Sequence, residues 1–191
     1  PDEVVQQEKK RYTFENMEWG KDWCYLRHPD FGNYSYEHGT LELRGTEITL
    51  DQADSPTFIG IRQKDFEAVI FCDVSLTQGE AGITLYMDEN HHYDLAIRQG
   101  GSGYEVIERL NVGDIKSIEK AVDLKNSSRA SLVIQASPTH YRFLLRADGQ
   151  EIQLGTAQTK YLSSEVAGAF TGVIIGLYAC GKDAAAQFSN F

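Results

Sequence analysis

Short runs in which apolar and polar residues alternate follow one another along most of the chain, separated by turn-forming residues. In the run 167–180, Val173, Ile175 and Leu177 fall on one face, whereas Ile174 and Tyr178 fall on the other. Side chains that alternate with a period of two indicate a β-strand. Helical periodicity is confined to one possible turn at 161–166. The pattern therefore predicts an all-β protein.

The predicted strands number about a dozen or more, which is typical of two stacked antiparallel sheets. They cover residues 11–15, 19–29, 40–43, 46–50, 57–63, 66–77, 80–87, 91–99, 103–110, 115–124, 129–136, 140–146, 151–154, 167–180 and 185–191. We expect the first short hairpin to turn at Arg44-Gly45 and the run 66–77 to be a central strand. The predicted fold is a two-sheet antiparallel β-sandwich of the jelly-roll type, forming a single domain over residues 11–191. Residues 1–10 are polar and unpatterned, and we interpret them as a linker or a frayed N-terminal end.

Length and charge narrow the possible partners. A chain of 191 residues is long enough to bury a sizeable core without disulfides. The net charge of -10 disfavours nucleic acids and anionic membranes as partners, because like charges repel. The sequence contains neither a bilayer-spanning run nor a signal-peptide pattern, and its cellular location is left open. The cysteines Cys24, Cys72 and Cys180 are expected to be buried thiols rather than disulfide or metal ligands.

The sequence offers no obvious catalytic group. A glycosidase needs two carboxylates that face each other across a sugar bond. The local carboxylate pairs are three residues apart, which places their side chains on opposite faces of a strand, and we interpret them as solvated surface. These pairs are Glu15/Glu18, Asp51/Asp54 and Glu105/Glu108. His91 and His92 also point to opposite faces, and no GxSxG elbow occurs. We therefore expect the chain alone to be inactive, with no metal site and no cofactor.

Aromatic residues are the remaining candidates for a binding role. The chain has 10 Tyr, 9 Phe and 2 Trp, and sugars stack their C–H faces on such rings. Trp19 and Trp23 are the candidate stacking residues, although most aromatics of a sandwich belong to its core. Phe170 stands between Gly168 and Gly172, at the entry to a strand. From its position alone, Phe170 either fills the core of the domain or presents its ring to another molecule.

Several fragments, taken in order, resemble one known family. They are Trp23, Leu26, Arg27 and Pro29; Ser55-Pro56 with Arg62-Gln63; Glu80-Ala81-Gly82-Ile83 with Tyr86; His92-Tyr93; and Phe170-Thr171-Gly172 with Gly176. Their order and spacing are similar to those of the C-terminal concanavalin A-like β-sandwich domain of glycoside hydrolase family 43, which contains β-xylosidases and α-L-arabinofuranosidases. The resemblance runs from about Tyr12 to Phe191, nearly the whole chain.

The resemblance implies a division of labour between two domains. In that family an N-terminal five-bladed β-propeller holds the catalytic carboxylates and removes terminal xylose or arabinose units with inversion. The sandwich packs on the propeller, and an aromatic residue on one of its loops closes one side of the substrate pocket. By its place in the Phe170-Thr171-Gly172 motif, that residue is expected to be Phe170, with Gly168, Thr171 and Gly172 supporting the loop. The implied partners are the propeller and a xylo- or arabino-oligosaccharide.

Other interpretations stay open. Related sandwiches build a structural calcium site from an early and a late acidic residue. Here Glu15 would be the early ligand, but the late position falls in Gln187-Phe188-Ser189-Asn190-Phe191, which lacks an acid. A free-standing carbohydrate-binding module with an exposed aromatic face is the main alternative function. A lectin-like or purely structural sandwich, with Phe170 in its core, is a third.

Overall fold

The alternating runs form strands throughout the part of the chain that the computed structural model describes, namely residues 9–14, 20–168 and 172–191. The strands are β1 (Trp23–Cys24), β2 (Tyr34–Glu37), β3 (Thr40–Arg44), β4 (Thr57–Arg62), β5 (Ala68–Leu76), β6 (Glu80–Asp88), β7 (His91–Gly100), β8 (Gly103–Val112), β9 (Ile115–Lys125), β10 (Arg129–Ala136), β11 (His140–Ala147), β12 (Gln150–Gln158), β13 (Ile174–Cys180) and β14 (Ala185–Ser189). Two 3₁₀ segments (Phe31–Asn33 and Thr159–Leu162) and helix α1 (Ser164–Ala167) complete the elements.

The strands pair into two antiparallel sheets of seven. The first sheet has the order β1-β4-β13-β6-β7-β8-β9, and the second has the order β12-β11-β10-β5-β14-β3-β2. The predicted two-sheet antiparallel sandwich is confirmed. Strand β5, predicted to be central, is the middle strand of the second sheet, between β10 and β14. Strand β13 pairs with β4 and β6, so that Leu177 lies opposite both Ile59 and Ile83.

The two faces of β13 divide as the sequence predicts. Ile175 and Leu177 point into the main core between the sheets, whereas Tyr178 packs on the outer face of the first sheet. The outer face carries a second, smaller core in which Phe58 lies directly over Gly176. A Cβ at Gly176 would stand 2.0 Å from Cε2 of Phe58, so this glycine is required by close packing.

The first predicted hairpin is wrong. Residues 46–50 do not pair with β3; they cross the outer face of the first sheet, where Thr46 makes one bridge to Cys180 and Leu50 packs on the smaller core. The hairpin turn lies earlier, at His38-Gly39 between β2 and β3. Both residues have positive φ (50° and 77°), the geometry that suits a tight antiparallel turn, and a histidine in first position conceals this signal.

The ends of the chain differ in part from the prediction. The described residues 9–14 form no strand, and the predicted strand 19–29 is reduced to the two residues of β1. The expected linker falls mostly outside the described residues, since residues 1–8 are not among them. Glu15, Trp19, Phe170 and Thr171 also lie outside the described residues. The helical turn predicted at 161–166 is confirmed by the second 3₁₀ segment and α1.

Two further findings concern the whole described chain. All three cysteines are free thiols, and Cys72 is fully buried. Within residues 9–14, 20–168 and 172–191, no helix has the length and apolarity needed to cross a bilayer.

Candidate functional site

One end of the sandwich is built by two connections that pass from one sheet to the other. Residues 63–67 join β4 to β5, and residues 159–173 join β12 to β13. The two connections meet, because the Gln63 N–H donates to the Val173 carbonyl at 2.9 Å. The Thr159 N–H donates to the Thr139 carbonyl at 3.0 Å, which ties the longer connection to the β10–β11 hairpin. We call residues 63–67, 159–168 and 172–173 the end cap.

The glycines of the predicted site lie in the end cap. Gly168 follows α1 with φ 70° and donates its N–H to the Ser164 carbonyl at 3.0 Å, a left-handed cap that favours glycine. Gly172 has φ 72°, and the nearest atom to a Cβ built there is Nη1 of Arg62 at 3.7 Å. Both positions therefore require glycine for backbone conformation rather than for space. Phe170 and Thr171 lie between them in the chain, outside the described residues.

Buried groups anchor the end cap to both sheets. Leu162 is only 2% exposed and packs in the main core. The Tyr141 hydroxyl donates to Oε1 of Gln63 at 2.9 Å, and the Tyr93 hydroxyl donates to the Gln158 carbonyl at 2.8 Å. Burial raises the pKa of Tyr141 to about 12 and raises that of Tyr93 as well, so both phenols keep their protons at ordinary pH. The cap is thus a preformed surface.

Trp23 lies in an aromatic cluster that joins distant segments of the chain. Its ring centroid is 4.9 Å from that of Tyr12 and 6.1 Å from those of Phe14 and Phe191. The Tyr12 N–H donates to the Phe191 carbonyl at 2.6 Å. This half-buried ring packs against the main core, and the sugar-stacking role of Trp23, like that of Trp19, stays a prediction.

A buried ion network on the outer face of the first sheet was missed by the sequence reasoning. His92 is fully buried and donates from Nδ1 to Asp94 and from Nε2 to Asp51, both at 2.8 Å. Burial alone lowers the pKa of His92, but the two carboxylates outweigh it and raise the pKa to about 9. The hydrogen bond from His92 in turn lowers the pKa of Asp51 to about 2, against the opposing effect of burial. His92 is therefore an imidazolium at neutral pH.

The network continues through Arg109 on the neighbouring strand. Its guanidinium makes a two-bond contact with Glu80 at 2.7 Å and a third bond to Asp94 at 3.0 Å. Tyr178 donates to Oε1 of Glu80 at 2.7 Å. Because Asp51 belongs to the segment that crosses this face, the network clamps that segment onto the sheet. Its charges are paired with one another, so removing one partner would leave a buried charge uncompensated.

The carboxylate pairs considered in the sequence have different environments. Glu105 pairs with Arg98 at 2.7 Å, whereas Glu108, on the opposite face of β8, is completely buried between the sheets. The prediction that Glu108 is solvated surface is wrong; its position on a seemingly polar strand hid its contact with β12 of the other sheet. Among the described residues, no three His, Cys, Asp or Glu side chains are grouped so that they could hold a metal ion.

Comparison with known proteins identifies the domain. Residues 11–191 match the family model described as the β-xylosidase C-terminal concanavalin A-like domain. The non-reducing end α-L-arabinofuranosidase BoGH43B of Bacteroides ovatus is 34% identical over 188 residues, which is 95% of this chain but 36% of the relative.

Solved structures agree with this match. The GH43B structure from the xyloglucan locus of Bacteroides ovatus superposes with a TM-score of 0.82 at 31% identity, over 99% of this chain and 40% of that one. A xylan β-1,4-xylosidase of Bacillus halodurans shares the fold, with a TM-score of 0.82 at 20% identity over 98% of this chain and 39% of that one. The chain thus spans about two fifths or less of these relatives. It belongs to the family of concanavalin A-like domains found at the C terminus of family 43 β-xylosidases.

Proposed function

We propose that the chain is a non-catalytic accessory domain of a glycosidase that removes terminal arabinose or xylose units during hemicellulose breakdown. In this role it packs on a catalytic propeller and closes one side of the propeller's substrate pocket with the ring of Phe170. The observation that carries the proposal is the match over residues 11–191 to a domain that makes up only 36% of an arabinofuranosidase.

The chemistry of the described residues supports a role without catalysis. The charged groups of the outer face pair with one another, so they are not arranged as the opposed acid and nucleophile or base that glycoside hydrolysis needs. The catalytic groups would then belong to the partner domain. An aromatic wall contributed by the accessory domain would limit how many sugar units enter and would exclude water that is not positioned for attack.

The alternative of a free-standing carbohydrate-binding module is less well supported. That function needs two or more exposed aromatic rings on one sheet face. In the described ranges the exposed aromatic residues are Phe31, Phe66 and Tyr161, and none of them lies in a β-strand. The sheet faces therefore offer no paired platform among these residues.

The proposal is tested with a chimera in which this chain replaces the matching segment of the Bacteroides ovatus arabinofuranosidase. The chain alone should not hydrolyse aryl arabinosides or xylosides, whereas the chimera should be active. In the chimera, Phe170→Ala should lower kcat/KM or change chain-length preference by about tenfold or more, because it removes the pocket wall.

The control is Phe31→Ala, which truncates an exposed ring away from the end cap and should leave the kinetics unchanged. Turnover by the chain alone would refute the non-catalytic role. Loss of about 3 kcal/mol or more of stability by Phe170→Ala with unchanged kinetics would assign Phe170 to the core. Micromolar binding of xylo-oligosaccharides to the chain alone, measured by calorimetry, would favour the carbohydrate-binding module instead.

A further inference from the structure

Exposed apolar side chains are concentrated at one end of the sandwich. In residues 9–14, 20–168 and 172–191, eight large hydrophobic side chains are exposed: Phe31, Phe66, Val69, Ile115, Ile118, Ile152, Tyr161 and Val166. Five of them, all but Phe31, Ile118 and Ile152, lie at the end of the sandwich that bears the end cap.

Four of these side chains lie on the end cap or on the strand that leaves it. Phe66 (79% exposed) is in the connection anchored by Gln63, and Val69 (61%) is at the start of β5. Tyr161 (38% exposed) lies in the 3₁₀ segment of the longer connection, and Val166 (46% exposed) lies in α1. We call Phe66, Val69, Tyr161 and Val166 the docking patch.

The docking patch is held outward by the backbone. In the 3₁₀ segment Leu162 turns into the core, which leaves the neighbouring Tyr161 facing solvent beneath the Lys160 ammonium, 5.0 Å from its ring centroid. Phe66 is exposed although Gln63, three residues earlier, is bonded to both Val173 and Tyr141. A preformed apolar surface of this kind is typical of an interface with another protein domain.

The composition of the patch distinguishes a protein partner from a sugar. Two of its four members are valines, which offer no flat ring for stacking on a sugar. The broad outer face of the first sheet is already covered by the segment that carries Asp51. The outer face of the second sheet carries polar pairs such as Asp73 with Ser131.

We propose that the docking patch is the surface on which the catalytic domain of the same enzyme packs. This inference rests on the proposed function. If Phe170 walls the partner's pocket, the end that carries Gly168 and Gly172 faces the partner, and the apolar side chains of the same end are the first to be buried against it. In the relatives this partner is the larger body, since the matching domain fills only 36% to 40% of their chains.

The test compares the same substitutions in the chain alone and in the chimera with the Bacteroides ovatus arabinofuranosidase. Phe66→Ser and Val166→Ser should leave the melting temperature of the chain alone nearly unchanged, because both side chains are exposed there. In the chimera each should lower the coupled melting transition by about 2 °C or more, because the side chain is then buried. Ile118→Ser, an exposed apolar residue on edge strand β9, is the matched control and should have no effect in either protein.

The outcomes separate the two proposals. An unsubstituted chimera that melts in two independent transitions, one of them identical to that of the chain alone, refutes the accessory function and the docking patch with it. A chimera that melts as one unit, but is unaffected by Phe66→Ser and Val166→Ser, leaves the accessory function standing and refutes the docking patch. Hydrogen exchange in the chimera should also be slowed over residues 63–69 and 159–167, and unchanged exchange there would count against the patch.

Discussion

Glu108 should make the domain less stable as pH rises through neutrality. Its side chain points from β8 between the sheets, is fully buried, and neither carboxylate oxygen has a hydrogen-bond partner among the described residues. It fits only because β12 has Gly155 opposite it, where a Cβ would stand 2.1 Å from Oε2. Burial raises the pKa of Glu108 from 4.5 to about 7, helped by the nearby Glu119 and opposed by Lys120.

The sign of the effect follows from proton binding. Between pH 4.5 and about 7 the folded protein keeps a proton on Glu108 that the unfolded chain has released. Unfolding then releases a proton, and the free energy of unfolding falls as pH rises across this window. Each pKa unit corresponds to about 1.4 kcal/mol, so the full loss is about 3 kcal/mol.

Glu108→Gln removes this titration while keeping the shape of the side chain. We expect the variant to gain about 2 kcal/mol relative to the parent protein when the pH is raised from 5 to 8. Urea unfolding, monitored by tryptophan fluorescence at both pH values, measures this change in unfolding free energy. A destabilisation by the amide that is the same at both pH values cancels from the comparison. Glu67→Gln, an exposed glutamate that precedes β5 and is not among the groups that shift the Glu108 pKa, is the control and should follow the parent closely. Parallel pH profiles for the parent and Glu108→Gln would refute a buried, neutral carboxyl.

Two further substitutions test the outer face of the first sheet. His92→Gln should lower the unfolding free energy by about 3 kcal/mol at pH 7, because it leaves Asp94 buried without its imidazolium. The stabilisation that comes from the raised His92 pKa is complete below pH 6.5 and is lost as pH rises through about 9. The difference in unfolding free energy between the parent and His92→Gln should therefore be smaller at pH 10 than at pH 7. An equal difference at both pH values would contradict this explanation. Gly176→Ala should cost about 3 kcal/mol in urea unfolding because its Cβ overlaps Phe58, and Phe58→Leu should recover part of the loss. Gly101→Ala, which meets nothing within 4 Å, is the control, and equal costs at both glycines would refute the packing argument.

The strands could be predicted from the sequence wherever the side chains of the two strand faces differ in character. The two faces of β13 were correct to the residue, because Val, Ile and Leu alternate there with Gly and Tyr. The predicted strand pairing was wrong where backbone conformation, rather than the alternation of side chains, determines the path of the chain. The turn at His38-Gly39 depends on positive φ at a histidine, and the segment after Arg44 leaves the sheet to cover its outer face.

The site was harder to predict than the fold because it depends on contacts between distant segments. Alternation places His92 and Asp94 on the same face of β7, and the opposite charges on β8 hint at a network. Nothing local places Asp51 against His92, since 41 residues separate them. Glu108 was misjudged for the same reason: its burial depends on a glycine in the opposite sheet.

The end cap differs from the broad faces of the sandwich in how its charged and apolar side chains are buried. Ion pairs of His92 with Asp51 and of Arg109 with Asp94 close one broad face with the chain's own segment. The pKa of His92, raised to about 9, keeps the imidazolium charged at neutral pH. The core between the sheets is closed by packing. At the end cap, by contrast, Phe66 and Val166 are exposed to solvent, although burying them would be favourable. These exposed apolar side chains, on the same connections as Gly168 and Gly172, are the surface that the proposed interface would bury.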